Sequence, residues 1–94
     1  MRVDKGVFEF EWDKGNIGKN TKHSVEDKEA EEVFLDEGKV TFKDKLHSQN
    51  EDRFIAIGKT KEYRLLYISF IKRKKKIMII SARGINKREL ALYG

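Results

Sequence analysis

His23 and His47 are the side chains of this sequence that exchange a proton near neutral pH unaided. A histidine within hydrogen-bond reach of a reacting group contributes ~10²–10⁴ in rate as general base or acid. His23 follows Lys19 and Lys22 at the expected end of a short helix. There it serves either as that base or as a plain helix C-cap, where positive charge is favoured; residue types leave both open. His47, inside the polar run His47-Ser48-Gln49-Asn50, reads as structural or peripheral.

Arg53, Arg64 and Arg83 stand at the edges of apolar segments. A planar guanidinium grips a phosphate at two points and stabilises charge developing on it. A base, a cation and an RNA 2′-hydroxyl as built-in nucleophile make a cleavage reaction that needs no metal. The competing reading pairs these arginines with acidic residues at solvent-facing strand ends. Glu89 and Tyr93, four residues apart, share a helix face. The tyrosine either packs its ring or stacks on a base. Other chemistries lack their residues: there is no cysteine, no Gly-x-Ser-x-Gly, no phosphate-cradling glycine loop and no closely spaced histidine pair. No metal site or cofactor is expected.

The elements that must position these side chains follow from pattern. Phe8-Glu9-Phe10-Glu11-Trp12 alternates as a half-buried strand does. Asp13 then caps a helix over residues 14–22, weakened by Gly15 and Gly18. A second helix opens with Ser24 as cap and Asp27 three residues on, and turns Ala30, Val33 and Phe34 inward. Its acidic residues Glu26, Asp27, Glu29, Glu31 and Glu32 suit the helix N-terminus and read as a solvated face. Residues 53–58, 64–71 and 76–83 are strand-like and joined by short polar links, so antiparallel hairpins connect them; Val40-Thr41-Phe42 is a short extra strand. Asn86 and Glu89 form a capping box for a closing helix. The expected class is α+β, one domain over residues 1–94: an antiparallel sheet of four to five strands with two N-terminal helices and one C-terminal helix.

Charge is unevenly spread over the 94 residues. The net is +5, with −6 in residues 24–37 and +7 in residues 65–94. Such asymmetry favours a polyanionic partner over a neutral one. No stretch approaches the ~18 apolar residues of a membrane span, and the N-terminus lacks a signal-peptide layout. A cytoplasmic protein is expected.

Phe10-Glu11-Trp12-Asp13, Gly15-Asn16, Lys19-Asn20, Lys22-His23 and Glu29-Ala30-Glu31-Glu32-Val33-Phe34 resemble, in order, the BrnT toxins. So do His47-Ser48, Arg53, Ile57-Gly58-Lys59-Thr60, Arg64-Leu65-Leu66, Ile79-Ile80-Ser81-Ala82-Arg83, Arg88-Glu89 and Tyr93. The resemblance implies a RelE-like ribonuclease fold and a type II toxin that cleaves RNA to inhibit translation. It also implies neutralisation by BrnA, a ribbon-helix-helix antitoxin through which alone DNA would be contacted. By position it implies His23, Arg64, Arg83 and Tyr93 as catalytic, and Lys19, Lys22, Arg53 and Lys59 as RNA contacts. The sequence departs from the family pattern in three places, one of them a stretch between Asn20 and His23 that is one residue short. Ser24 stands where a glycine is usual, and Met78 where an arginine is usual. Strict alternation sets positions 78 and 83 on opposite strand faces. The alternative to an enzyme is an RNA- or ribosome-binding inhibitor without chemistry of its own, favoured by Met78 and the altered histidine segment.

Overall fold

The computed structural model describes residues 9–48 and 50–93. Phe8 of the expected first strand and Gln49 of the expected loop lie outside them. The described residues form one five-stranded sheet flanked by two α-helices. The strands are β1 (Glu9–Phe10), β2 (Val40–Lys43), β3 (Arg53–Lys59), β4 (Leu65–Arg73) and β5 (Lys76–Gly84). Their spatial order is β1-β5-β4-β3-β2. The hairpins β2–β3, β3–β4 and β4–β5 are antiparallel, as short connections require. The sheet is nevertheless mixed rather than antiparallel, because β1 joins the free edge of β5 in parallel. The helices α1 (Asp27–Val33) and α2 (Lys87–Tyr93) follow β1 and β5.

The expected first helix is not an α-helix. Residues 14–18 form turns, and Lys19–His23 is a 3₁₀ helix. Gly18, at φ 68°, breaks the path between them, a conformation glycine adopts without steric cost. Ser24 does not cap α1 either. It closes the 3₁₀ helix in the left-handed conformation, at φ 60° and ψ 36°. The cap of α1 is Glu26, whose amide donates to Glu29 Oε1 at 3.0 Å. At the other end of the chain the capping box stands as expected: Glu89 N donates to Asn86 Oδ1 (2.9 Å) and Asn86 N to Glu89 Oε1 (3.1 Å).

One face of the sheet packs against α1. Ala30, Val33 and Phe34 meet Leu66, Ile68, Phe70, Ile77, Ile79 and Ala82 in a fully buried cluster. A row of aromatic contacts crosses it, with Phe34 edge-on to both Phe10 (5.4 Å) and Phe70 (5.0 Å). Gly58 lets α1 approach β3 this closely, since a Cβ there would lie 2.9 Å from Val33 Cγ1.

The outer edge of β5 is sealed by two buried asparagines where β1 stops. Asn16 Nδ2 donates to Glu11 O and Ile79 O at 3.0 Å, and Asn20 Oδ1 accepts from Ala82 N at 2.9 Å. Between these anchors the β4–β5 register shifts. Phe70 pairs with Ile79 but Ser69 pairs with Ser81, leaving Ile80 as an extra residue in a bulge. The bulge overturns the alternation expected for this strand. Met78 opposes Ile71, and Arg83 opposes Tyr67. Ile71 and Tyr67 are four residues apart on β4 and therefore share a face. Met78 and Arg83 thus share it too.

Candidate nucleic-acid interface

Cross-strand register builds the face away from α1 in rows. Arg53, Ile71 and Met78 form one, Ile55, Ser69 and Ser81 the next, and Ile57, Tyr67 and Arg83 a third. Beside the first row lies a groove of about 500 Å³, lined by Leu46, His47, Asn50, Glu51, Arg53, Ile71, Arg73, Met78 and Ile80. That volume is within the ~300–1,000 Å³ typical of small-ligand sites. Its floor is apolar and its rim carries two arginines.

The β2–β3 connection holds the rim in place. Asp44 N donates to Arg53 O at 2.7 Å, closing the hairpin. The Ser48 hydroxyl donates to Asp44 O (2.6 Å) and accepts from Arg53 N (2.9 Å). A short 3₁₀ helix, Lys45–His47, is clamped between these bonds. It sets His47 Nδ1 at 2.9 Å from Asp44 Oδ2. The remaining nearby carboxylates are also engaged: Glu51 with Arg73 (3.0 Å) and Asp52 with Lys43 (3.3 Å). The Glu51 carboxyl is held below its ordinary range by the hydrogen bond from Arg73. Arg53 has no such partner among the described residues, and its Nε is buried without a hydrogen bond. Arg53 is half-buried, and a buried N–H left without an acceptor is costly and is relieved when an anion supplies one.

The catalytic residues expected from sequence do not share this groove. His23 is exposed at the end of the first 3₁₀ helix, along with Lys19 and Lys22. Arg64 lies against it. Its Nη2 donates to His23 O (3.4 Å), its Nη1 to Ser24 O (2.5 Å), and it pairs with Glu29 (3.4 Å). The adjoining cleft is bordered by Glu26, Glu29, Glu32 and Glu62 against Lys28, Lys61 and Arg64. Four carboxylates to three cations make poor company for a phosphate.

Arg83 and Tyr93 are drawn to a third place, around α2. Arg83 Nη1 and Nη2 grip the Glu89 carboxylate at 2.9 and 2.7 Å, and its guanidinium lies 4.3 Å from the Tyr67 ring centre. That bidentate bond, outweighing partial burial, holds Glu89 below its ordinary range. The Tyr93 hydroxyl donates to Asp36 Oδ2 at 2.7 Å. The bond raises the phenol above its usual value. Burial alone would raise Asp36, but bonds from the Lys59 amide, Tyr93 and the Gly38 amide hold it low. Lys59 Nζ sits 5.8 Å from the ring centres of both Tyr63 and Tyr93. Of the residues expected to meet RNA, only Arg53 lines the groove. The groove also brings in Arg73, which the sequence did not single out, and His47, read from sequence as structural or peripheral.

Among the described residues no three His, Cys, Asp or Glu side chains gather as a metal ion would require. No helix among them is long and apolar enough to cross a membrane. A comparison with curated proteins found no match. A family model does match: residues 12–89 fit the one described as "Ribonuclease toxin, BrnT, of type II toxin-antitoxin system". The match runs from Trp12, which donates to Glu31 at 2.6 Å, to Glu89, which holds Arg83. It takes in both buried asparagines, the groove and the bulge, and the chain belongs to the BrnT family of ribonuclease toxins.

Proposed function

We propose that this chain is an endoribonuclease that binds its RNA on the sheet face away from α1 and cleaves it without a metal ion. The observation that carries the reading is Arg53. Its guanidinium lines a groove, unmatched among the described residues, while the neighbouring carboxylates are taken by Lys43, His47 and Arg73. An incoming phosphodiester supplies the missing anion. Leu46, Ile71, Met78 and Ile80 offer an apolar wall for a base or ribose, bordered at the rim by Arg73 in its pair with Glu51. The 2′-hydroxyl attacks the adjacent phosphorus, and Arg53 stabilises the charge that develops. The products are a 2′,3′-cyclic phosphate and a 5′-hydroxyl. Lys19, Lys22 and Lys59 contribute to longer-range attraction of the strand. Digestion of a structured RNA in excess chelator tests this: cleavage should persist, and its disappearance would overturn metal independence.

A related reading keeps His23 as base beside Arg64. It is favoured by the contact of Arg64 Nη2 with His23 O, and it would use Arg83 and Tyr93 as supporting groups. A reading of another class makes the protein a non-catalytic RNA- or ribosome-binding inhibitor. Met78 favours it, being uncharged in the same cross-strand row as Arg53. It predicts translation arrest with intact message. In the cell, the RelE-like toxin would act in the cytoplasm and be held inactive by a BrnA-like ribbon-helix-helix antitoxin. A neighbouring reading frame for such a protein, co-purifying with this one, would support the pairing.

A further inference from the structure

We infer that His47, oriented by Asp44, is the general base of the reaction, an assignment that rests on the ribonuclease reading of the groove. The two side chains are arranged as a base and its orienter. The contact from Nδ1 to Asp44 Oδ2 is 2.9 Å, and the carboxylate side chain is 17% exposed while the imidazole is 63% exposed. A carboxylate on Nδ1 fixes the tautomer in which Nδ1 carries the proton and Nε2 is the free acceptor. The outer nitrogen is therefore the one available to substrate.

The placement is built into the backbone. Ser48 bridges Asp44 O and Arg53 N, so the histidine turn and the arginine strand are tied by one hydroxyl. Both side chains line the same groove. A phosphodiester held by Arg53 has its ribose within the space that His47 borders. The charged groups around His47 are Asp44 and Lys45 on its own turn, Glu51 just before β3, Arg53 at the start of β3, and Arg73 at the end of β4. Glu51 and Arg73 neutralise each other.

In the step proposed, Nε2 of His47 takes the 2′-hydroxyl proton as the O2′–P bond forms. The P–O5′ bond breaks, and the departing 5′-oxygen takes a proton from solvent. The imidazolium then returns its proton to solvent, leaving the enzyme unchanged. His47 is a catalytic residue in this account, and Asp44 a positioning one.

The test compares wild type, His47→Ala, His47→Gln and Asp44→Asn on one RNA in excess chelator, with thermal melting as a check of fold. His47 is exposed, so its variants should melt with wild type. Both should lose kcat by ~10²–10⁴ with KM within about twofold, and added imidazole should restore part of the activity of His47→Ala. Asp44→Asn should lower kcat about tenfold or more, again with KM little changed. If wild type cuts and the His47 variants cut within threefold of it, or lose activity through KM alone, the assignment is overturned while the ribonuclease reading stands. If wild type cuts no RNA, both fall together.

Discussion

The two histidines sit in neighbourhoods of opposite electrostatic design. Around His23 the cation is spoken for: Arg64 is held by a carboxylate and two backbone carbonyls, in a cleft with more acids than bases. Around His47 the acids are spoken for, and Arg53 lacks a partner among the described residues. An arginine that already has its anion serves to pin two elements together, as Arg64 pins the first 3₁₀ helix to the start of β4. An arginine kept from its anion is ready for one that arrives. Residue type does not separate these roles; the allocation of carboxylates does.

Between the two arginines, the larger effect should come from removing the unmatched one. Arg53→Ala should reduce RNA cleavage by ~10²–10³, and Arg64→Ala should cost at least tenfold less. Parallel activity assays decide it. Equal losses would erase the distinction between the two neighbourhoods.

Sequence alone could not draw that distinction. The strands were legible because Arg53–Lys59, Leu65–Arg73 and Lys76–Gly84 are apolar runs with clear polar breaks. The stripe of α1 was legible for the same reason, its spacing matching one helix face. The bulge at Ile80 was not, since Ile77-Met78-Ile79-Ile80 is apolar throughout and no period betrays the extra residue. The first helix was not legible, since the left-handed turns at Gly18 and Ser24 and the bonds of Asn16 and Asn20 to β5 leave no mark in the local pattern. The groove was out of reach for a different reason. It joins His47 to Met78 across a register that only the folded sheet defines.

Next in size is the seal that fixes the bulge and, through it, the groove wall. Asn20→Ala leaves Ala82 N–H buried without its acceptor, and should destabilise the fold by about 1–3 kcal/mol in denaturant unfolding. A change under ~0.5 kcal/mol would show that β5 holds its register without this bond.

A smaller loss should follow Glu89→Gln, about 1 kcal/mol after allowing for the 39% exposure of Arg83. Its sign with pH is fixed. Glu89 is held below its ordinary value of 4.5, so its contribution is present above that pH and fades as pH falls through the folded value. Wild type and variant should therefore differ at pH 7 and converge in acid. Asp36, also held low, adds to the acid loss in both. A gap between the two proteins that persists in acid would rule out the ion pair as its source.

The smallest expected effect is a gain. Ser24 occupies a left-handed conformation that costs a side-chain-bearing residue ~1 kcal/mol relative to glycine. Ser24→Gly should thus raise stability by about 0.5–1 kcal/mol, measured by the same unfolding titration. Ser24 lies at the His23 corner and does not line the His47 groove, so cleavage should be unaffected. A stability loss would mean that the serine hydroxyl does something there beyond closing the turn.

The central claim is that the groove beside Arg53 cuts RNA by using the strand's own 2′-hydroxyl. The most direct measurement incubates the protein in excess chelator with an RNA and with the same strand carrying 2′-deoxyribose throughout, and analyses the ends. Only the RNA should be cut, with every new 3′ end a 2′,3′-cyclic phosphate. Cleavage of the deoxy strand, or new ends bearing a 3′-hydroxyl, would contradict that claim.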